Sequence, residues 1–274
     1  MNFKISHFKI NELDKLSEFI KENYKNKHIF CRNKDFLRWE HFYKKKLSFT
    51  YLKIKNELVA VLGYKSLLNH DQKLSNKVIF LTLAVTSKKA PPGSLKLLFK
   101  NLKKKKKLII TLGFNYKTLV YQKLLGFKIF KLNHCYLRSK NIQNFKIIKI
   151  NKNNKKNFVK KIKKKVEIQN VSSVEEIINL KKNKKIWNNF QPMKSSQYLI
   201  SRYMKHPIYN YDLNFIIKDN KKIAIVVSRE INFKKRKIIK IVDYFGSNCS
   251  VKYLSNFCEK MFLDNNLELI EFYN

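Results

Sequence analysis

Polar and apolar residues alternate from Phe3 to Lys9, a period of two that predicts a strand. The period then lengthens, and Leu13, Leu16, Phe19 and Ile20 recur at helical spacing behind Asn11, which suits a helix cap, with Glu12 and Asp14 in the first turn. A second helical stretch lies around Phe36 to Tyr43. Two β-type runs follow, Phe49 to Lys55 and Leu58 to Tyr64, and the short polar Asn56-Glu57 between them predicts an antiparallel hairpin. Val78 to Val85 reads as a buried strand and Thr86 to Gly93 as a loop. A helix is expected from Ser94, with Leu95, Leu98, Phe99 and Leu102 on one face. Leu108 to Asn115 is another apolar strand and Tyr116 to Leu125 another helix. Gly126 opens a strand expected to run on through Cys135 and Leu137.

The second half repeats this order. Lys34 to Trp39 precedes the first hairpin, and Ser196 to Tyr203 precedes a second strand pair, Asn214 to Lys218 and Lys222 to Arg229. Ile238 to Gly246 then matches the Val78 strand, Tyr253 to Phe262 its helix, and Leu267 to Tyr273 the next strand. The stretch from Asn141 to Lys165 is dominated by Lys, Asn and Ile and is placed as a boundary. The expectation is therefore an α/β chain of two domains, 1–145 and 166–274. Each has a mixed, mostly antiparallel central sheet flanked by helices, the first copy complete and the second lacking its last elements.

Charge changes this picture less than its size suggests. The formal net charge is +41 in 274 residues, a field that attracts polyanions. Arginine, the residue suited to bidentate phosphate recognition, is confined to Arg32, Arg38, Arg138, Arg202, Arg229 and Arg236, and lysine supplies the rest. The run Lys103 to Lys107 falls at a helix end, where cations suit the dipole. The charge is read first as a solvated surface and second as a nucleic-acid patch. The four cysteines, Cys31, Cys135, Cys249 and Cys258, form no metal-type pair and are expected reduced and mostly buried. No apolar run approaches the roughly 20 residues of a membrane span, and the N-terminus lacks a secretory pattern, so a cytoplasmic protein is expected.

Two local patterns carry a family resemblance. Counting from Val85, Gly93 falls eight residues on, and Leu98 and Phe99 occupy apolar helix positions. Further along, Asn115 ends a strand and is followed by a helix bearing Tyr121 and by Gly126-Phe127. The chain resembles the GNAT superfamily of acyl-CoA-dependent acyltransferases, with Ser87, Ala90 and Leu95 standing where the family's loop has Pro, Arg or Gln, and a second Gly. The resemblance implies acetyl-CoA or another acyl-CoA as co-substrate. It implies that Ala84 and Val85 supply the strand edge and that Gly93 and Ser94 hold the pyrophosphate at a helix N-terminus, assisted by Lys88 and Lys89. Asn115 would cap the splayed strand end, and Tyr121 would protonate the departing thiolate.

Lys34 to Trp39 and Tyr198 to Pro207 further resemble tandem GNAT-like proteins associated with bacterial surface-polysaccharide assembly, in which Trp39, Arg202 and His206 would line an acceptor pocket. The expected activity is acyl transfer to a small-molecule amine, an amino sugar on a nucleotide carrier among them. Two alternatives stay open: a tandem GNAT-like transferase using aminoacyl-tRNA, and a non-catalytic module. Glu40, His41 and Asp243 are candidate bases that nothing in the sequence separates.

Overall fold

Tight turns between neighbouring β runs organise both halves of the chain. Lys55 and Asn56 both adopt positive φ, as do Asp219 and Asn220, and Lys234 and Lys235, the geometry of two-residue type I′ hairpins. In the computed structural model, which describes residues 2–43, 45–71, 78–105, 108–112, 116–147, 166–180, 183–187 and 194–273, the chain divides into two units, Met1–Phe130 and Lys131–Asn274.

The first unit runs β1 (Phe3–Lys9), α1 (Leu13–Asn23), α2 (Ile29–Arg32), α3 (Lys34–His41), β2 (Phe42–Tyr43), β3 (Lys46–Ile54), β4 (Glu57–Ser66), β5 (Val78–Thr86), α4 (Ser94–Lys105), β6 (Leu108–Thr111) and α5 (Tyr116–Leu124). Its sheet has the order β1-β3-β4-β5-β6, with β2 on β3. All pairings are antiparallel except β5 with β6. Leu98, Phe99 and Leu102 of α4 bury against Leu52, Ala60, Leu62 and Ile79 on one face. Phe49, three residues from Leu52 along β3, points to the opposite face and meets Phe30 of α2 and His41 of α3. Asn33 starts α3 by accepting the Phe36 N–H at 2.8 Å. Asn11 does not cap α1: it sits in a 3-10 turn, Ile10–Glu12, and the Glu12 carboxylate instead accepts the Lys9 N–H.

The second unit runs β7 (His134–Arg138), β8 (Glu167–Asn170), α6 (Val174–Asn179), α7 (Lys184–Trp187), α8 (Ser196–Leu199) with a π-helical turn Ile200–Met204, β9 (Asp212–Lys218), β10 (Lys221–Phe233), β11 (Arg236–Gly246), α9 (Leu254–Met261) and β12 (Leu267–Tyr273). Its sheet order is β7-β12-β11-β10-β9-β8, with β11 and β12 the parallel pair. Phe257 and Cys258 of α9 pack with Ile216, Ala224, Val226, Leu267 and Ile270. Among the cysteines only Cys258 is buried, and Cys249 is exposed.

The expected strand from Gly126 to Leu137 is corrected in two ways. Residues 127–133 form no strand, and Phe127 instead packs beside Phe99 in the first core. The strand starts at His134 and pairs with β12, Cys135 against Phe272 and Leu137 against Ile270, so it borders the second sheet rather than the first. The cause lies in β12, whose interior needs two neighbours. Leu269 and Ile270 are buried, and the fully buried Glu268 carboxylate accepts N–H bonds from Lys146 and Ile147 in the segment after β7. Both units thus have mixed sheets flanked by helices, and among the described residues it is the second that has a strand beyond its parallel pair.

Candidate functional site

In the first unit, two parallel strands part company. β5 and β6 pair from Val78 with Leu108 to Leu81 with Thr111, and among the described residues β5 then continues without a partner on that side to Thr86. A β-bulge sits where they separate: Gly63 of β4 faces Leu83 and Tyr64 faces Leu81, leaving Thr82 as the extra residue. Beyond it, Ser87 N–H donates to Val59 O at 2.9 Å. Alternation along a strand then turns the Val85 N–H toward β4 and the Ala84 and Thr86 N–H groups toward the open edge. Val85 is buried and Ala84 is exposed, so their side chains point to opposite faces of the sheet.

The open edge leads into a helix N-terminus. Gly93 has φ +87° and nothing within 4 Å of where a Cβ would stand, so the backbone there borders open space. Ser94, buried, is the first residue of α4 and turns its hydroxyl back to donate to Pro91 O at 2.7 Å. Ser87 Oγ is buried with no hydrogen-bond partner among the described residues. Lys88 is exposed, and Lys89 forms an exposed ion pair with Glu57 at 2.9 Å. The structure therefore brings Ala84, Val85, Lys88, Lys89, Gly93 and Ser94 onto one strand-loop-helix segment. Asn115 lies outside the described residues, and Tyr121 falls on α5 with a side chain that is likewise outside them.

Behind the bulge lies a polar cluster. His41 is fully buried and its Nδ1–H donates to Tyr64 O at 3.0 Å, while Nε2 faces Thr82 Oγ1 at 3.5 Å. Burial pushes the His41 imidazole down to about 4, so it is neutral near pH 7. Glu40, beside it, is buried and paired with Lys65 at 2.8 Å. Trp39 stacks on Phe36 and meets His70. In the second unit His206 is a turn residue: its Nδ1 accepts the Ile208 and Tyr209 N–H groups, and its ring stacks on Tyr209.

The second unit repeats the splay with different side chains. β11 and β12 pair only to Lys240 with Glu271, and β11 continues to Gly246. The bulge recurs at Val242, between the pairs Val227 with Asp243 and Ser228 with Ile241. Asp243 thus takes the place of Leu83, and Tyr244 that of Ala84. Here the edge donor is consumed, since Tyr244 N–H donates to Asp243 Oδ1 at 2.9 Å. The following loop is closed as well. The Tyr244 and Ser247 hydroxyls both donate to Ser250 Oγ, and a Cβ on Gly246 would meet Ala224 Cβ at 2.7 Å. Sequence reasoning misses Thr82, the Ser87 hydroxyl, Lys194 and Tyr203 as site residues, and offers Asp243 only as one of three candidate bases. Aligning the two strand ends, Thr86 before Ser94 and Gly246 before Leu254, is the signal that could have found them.

No family model and no curated protein sequence matches the chain. Solved structures do. A conserved protein of Enterococcus faecalis V583, named "Probable N-Acyltransferase", aligns with all of this chain and 66% of its own length at 12% identity and TM-score 0.61. A GCN5-related N-acetyltransferase from Anabaena variabilis aligns over 100% and 66% of the two chains at 8% identity and TM-score 0.57. One from Kribbella flavida aligns over 100% and 64% at 8% identity and TM-score 0.55. The chain therefore spans just under two thirds of the length of these neighbours and shares the fold of GCN5-related N-acetyltransferases. Among the described residues no helix is long and apolar enough to cross a membrane, and no His, Cys, Asp and Glu group could hold a metal.

Proposed function

We propose that the first unit binds an acyl-CoA along the open edge of β5 and promotes transfer of the acyl group to an amine. The observation that carries this reading is that the β5–β6 pairs run to Leu81 and Thr111, beyond which β5 has an edge with no partner among the described residues that feeds into Gly93 and the N-terminus of α4. The residues present fit the co-substrate. The open space at Gly93 admits a pyrophosphate against bare backbone, first-turn N–H groups of α4 suit its charge, and the unpartnered Ser87 hydroxyl lies in the same loop.

In the transfer, the amine nitrogen forms a bond to the thioester carbonyl carbon, the carbon–sulfur bond breaks, and the nitrogen loses a proton as the thiolate gains one. The chain's contribution is orientation, plus the Ala84 N–H directed at the developing oxyanion. Tyr121 is the proposed proton donor to sulfur and Asn115 the proposed cap of the strand end. The acceptor proposed is a small-molecule amine, with a nucleotide-linked amino sugar the class to screen first.

Thermal stability in the presence of acetyl-CoA, longer acyl-CoAs, free CoA and bulk tRNA, at low and physiological salt, tests the reading. A salt-insensitive upward shift with acyl-CoA is expected. Absence of any shift at millimolar acyl-CoA would sink it, and a shift with tRNA alone would move the weight to an aminoacyl-tRNA donor. Ala84→Pro sharpens the test, because an edge strand tolerates a missing outward N–H. It is expected to keep acyl-CoA binding and lower turnover by about 10²- to 10³-fold.

A further inference from the structure

Among the described residues the Asp243 cluster has no counterpart in the first unit, where Leu83 stands at the matching position. Lys194 Nζ lies 2.7 and 2.6 Å from the two Asp243 oxygens, and the Tyr203 hydroxyl donates to Oδ2 at 2.6 Å. The rings of Phe245 and Tyr198 flank the same ammonium at 5.4 and 5.8 Å. Asp243 is 10% exposed and Lys194 20%, so the carboxylate is enclosed while the lysine reaches it from the solvent side. One carboxylate, itself held by the Tyr203 phenol, and two aromatic faces beside a single cation make a cage for ammonium chemistry. The cage sits beside the bulge of β11, at the mouth of the β11–β12 splay.

An enclosed ion pair is a poor source of stability, because desolvating two charges consumes most of what their attraction returns. An apolar residue at position 243 would serve packing at least as well, as Leu83 does in the other unit. We propose that the Asp243, Tyr203, Tyr198 and Phe245 cage is a binding site for the primary ammonium group of an amine ligand, and that Lys194 is its built-in occupant. Exchange preserves charge: the ligand's ammonium enters as the Lys194 ammonium leaves for water. The carboxylate is never left unpaired, and only the difference between the two occupants decides the equilibrium. The site is independent of acyl-CoA binding in the first unit, so either reading can fail alone.

The readout is the chemical reactivity of Lys194 in the full-length chain, followed by reductive methylation with formaldehyde and hydride in molar excess over every added amine, normalised to the exposed lysines, and by peptide mass analysis. With n-butylammonium or glucosamine at tens of millimolar, Lys194 labelling is expected to rise several-fold, while n-butanol, the same shape without the charge, leaves it unchanged. Asp243→Asn is expected to raise Lys194 labelling without ligand and to abolish the ligand effect. Lys194→Met, which keeps the stem length, is expected to be stabilised against heating by n-butylammonium and not by n-butanol. Lys194 labelling that ignores every amine, or a Lys194→Met protein stabilised equally by amine and alcohol, would show a purely structural ion pair and overturn the proposal.

Discussion

The loops that follow β5 and β11 start from the same geometry and end as opposites. Each leaves a strand that has outrun its parallel partner past a bulge, and each reaches a helix after the same interval. In the first unit Gly93 stands before the helix with an open surround; in the second Tyr253 stands there, buried, inside a 3-10 turn Asn248–Tyr253 that winds the loop shut. The edge residues differ the same way, Ala84 exposed and Tyr244 with its N–H held by Asp243. A shared backbone therefore does not make a shared site. What a splayed strand can bind depends on whether its edge donors and its helix N-terminus are left for a ligand or satisfied by the chain itself.

Exchanging the two loop residues breaks the comparison most directly. Tyr253→Gly removes a buried aromatic and is expected to destabilise the second unit by about 3–5 kcal/mol. The reciprocal Gly93→Tyr forces a bulky side chain into left-handed backbone at about 1–2 kcal/mol. Its main expected effect is loss of acyl-CoA stabilisation. The two tryptophans fall one in each unit, so denaturant titrations of Trp39→Phe and Trp187→Phe backgrounds follow the units separately. Equal loss of stability in both units from Tyr253→Gly would contradict the assignment.

The buried groups beside the two bulges should make the units fail at opposite ends of the pH scale. His41 has a folded-state value near 4 against an ordinary 6.5, so protonation favours the unfolded chain. Its contribution, about 3 kcal/mol, is complete above pH 6.5 and is lost as pH falls toward 4. Tyr203 is shifted the other way. Burial first, and the Asp243 charge second, hold its phenol protonated well above 10, so its contribution is complete below pH 10 and is lost as pH rises beyond it. Thermal scans from acid to alkaline pH should show the acid limb shrink in His41→Asn and the alkaline limb shrink in Tyr203→Phe. An unchanged acid limb in His41→Asn would refute the role of that imidazole.

The smallest expected effect is at the rim of the open loop. Lys89→Ala removes an exposed ion pair with Glu57 and should cost under about 1 kcal/mol of stability. Any effect on acyl-CoA affinity should shrink with added salt.

The sequence by itself determined most elements of the first unit, the matching run from Asn214 to Tyr273 and the repeated order that links them, because period-two and helical spacing, turn residues and the Gly93 position are local facts that each segment carries alone. Phe3 to Lys9, the first hairpin, expected to turn at Asn56-Glu57 and found to turn one residue earlier at Lys55 and Asn56, and the run from Val78 through Ser94 were legible for that reason. Tertiary structure decided what depends on residues far apart. It gave β7 to β12, where the buried Glu268 draws its partners from Lys146 and Ile147. It placed bulges at Thr82 and Val242, which appear only when two strands are laid side by side. It also drew Lys194 and Tyr203 onto Asp243 from 49 and 40 residues away. Hydrogen-bond satisfaction and burial are properties of the assembled neighbourhood, and no period along the chain encodes them.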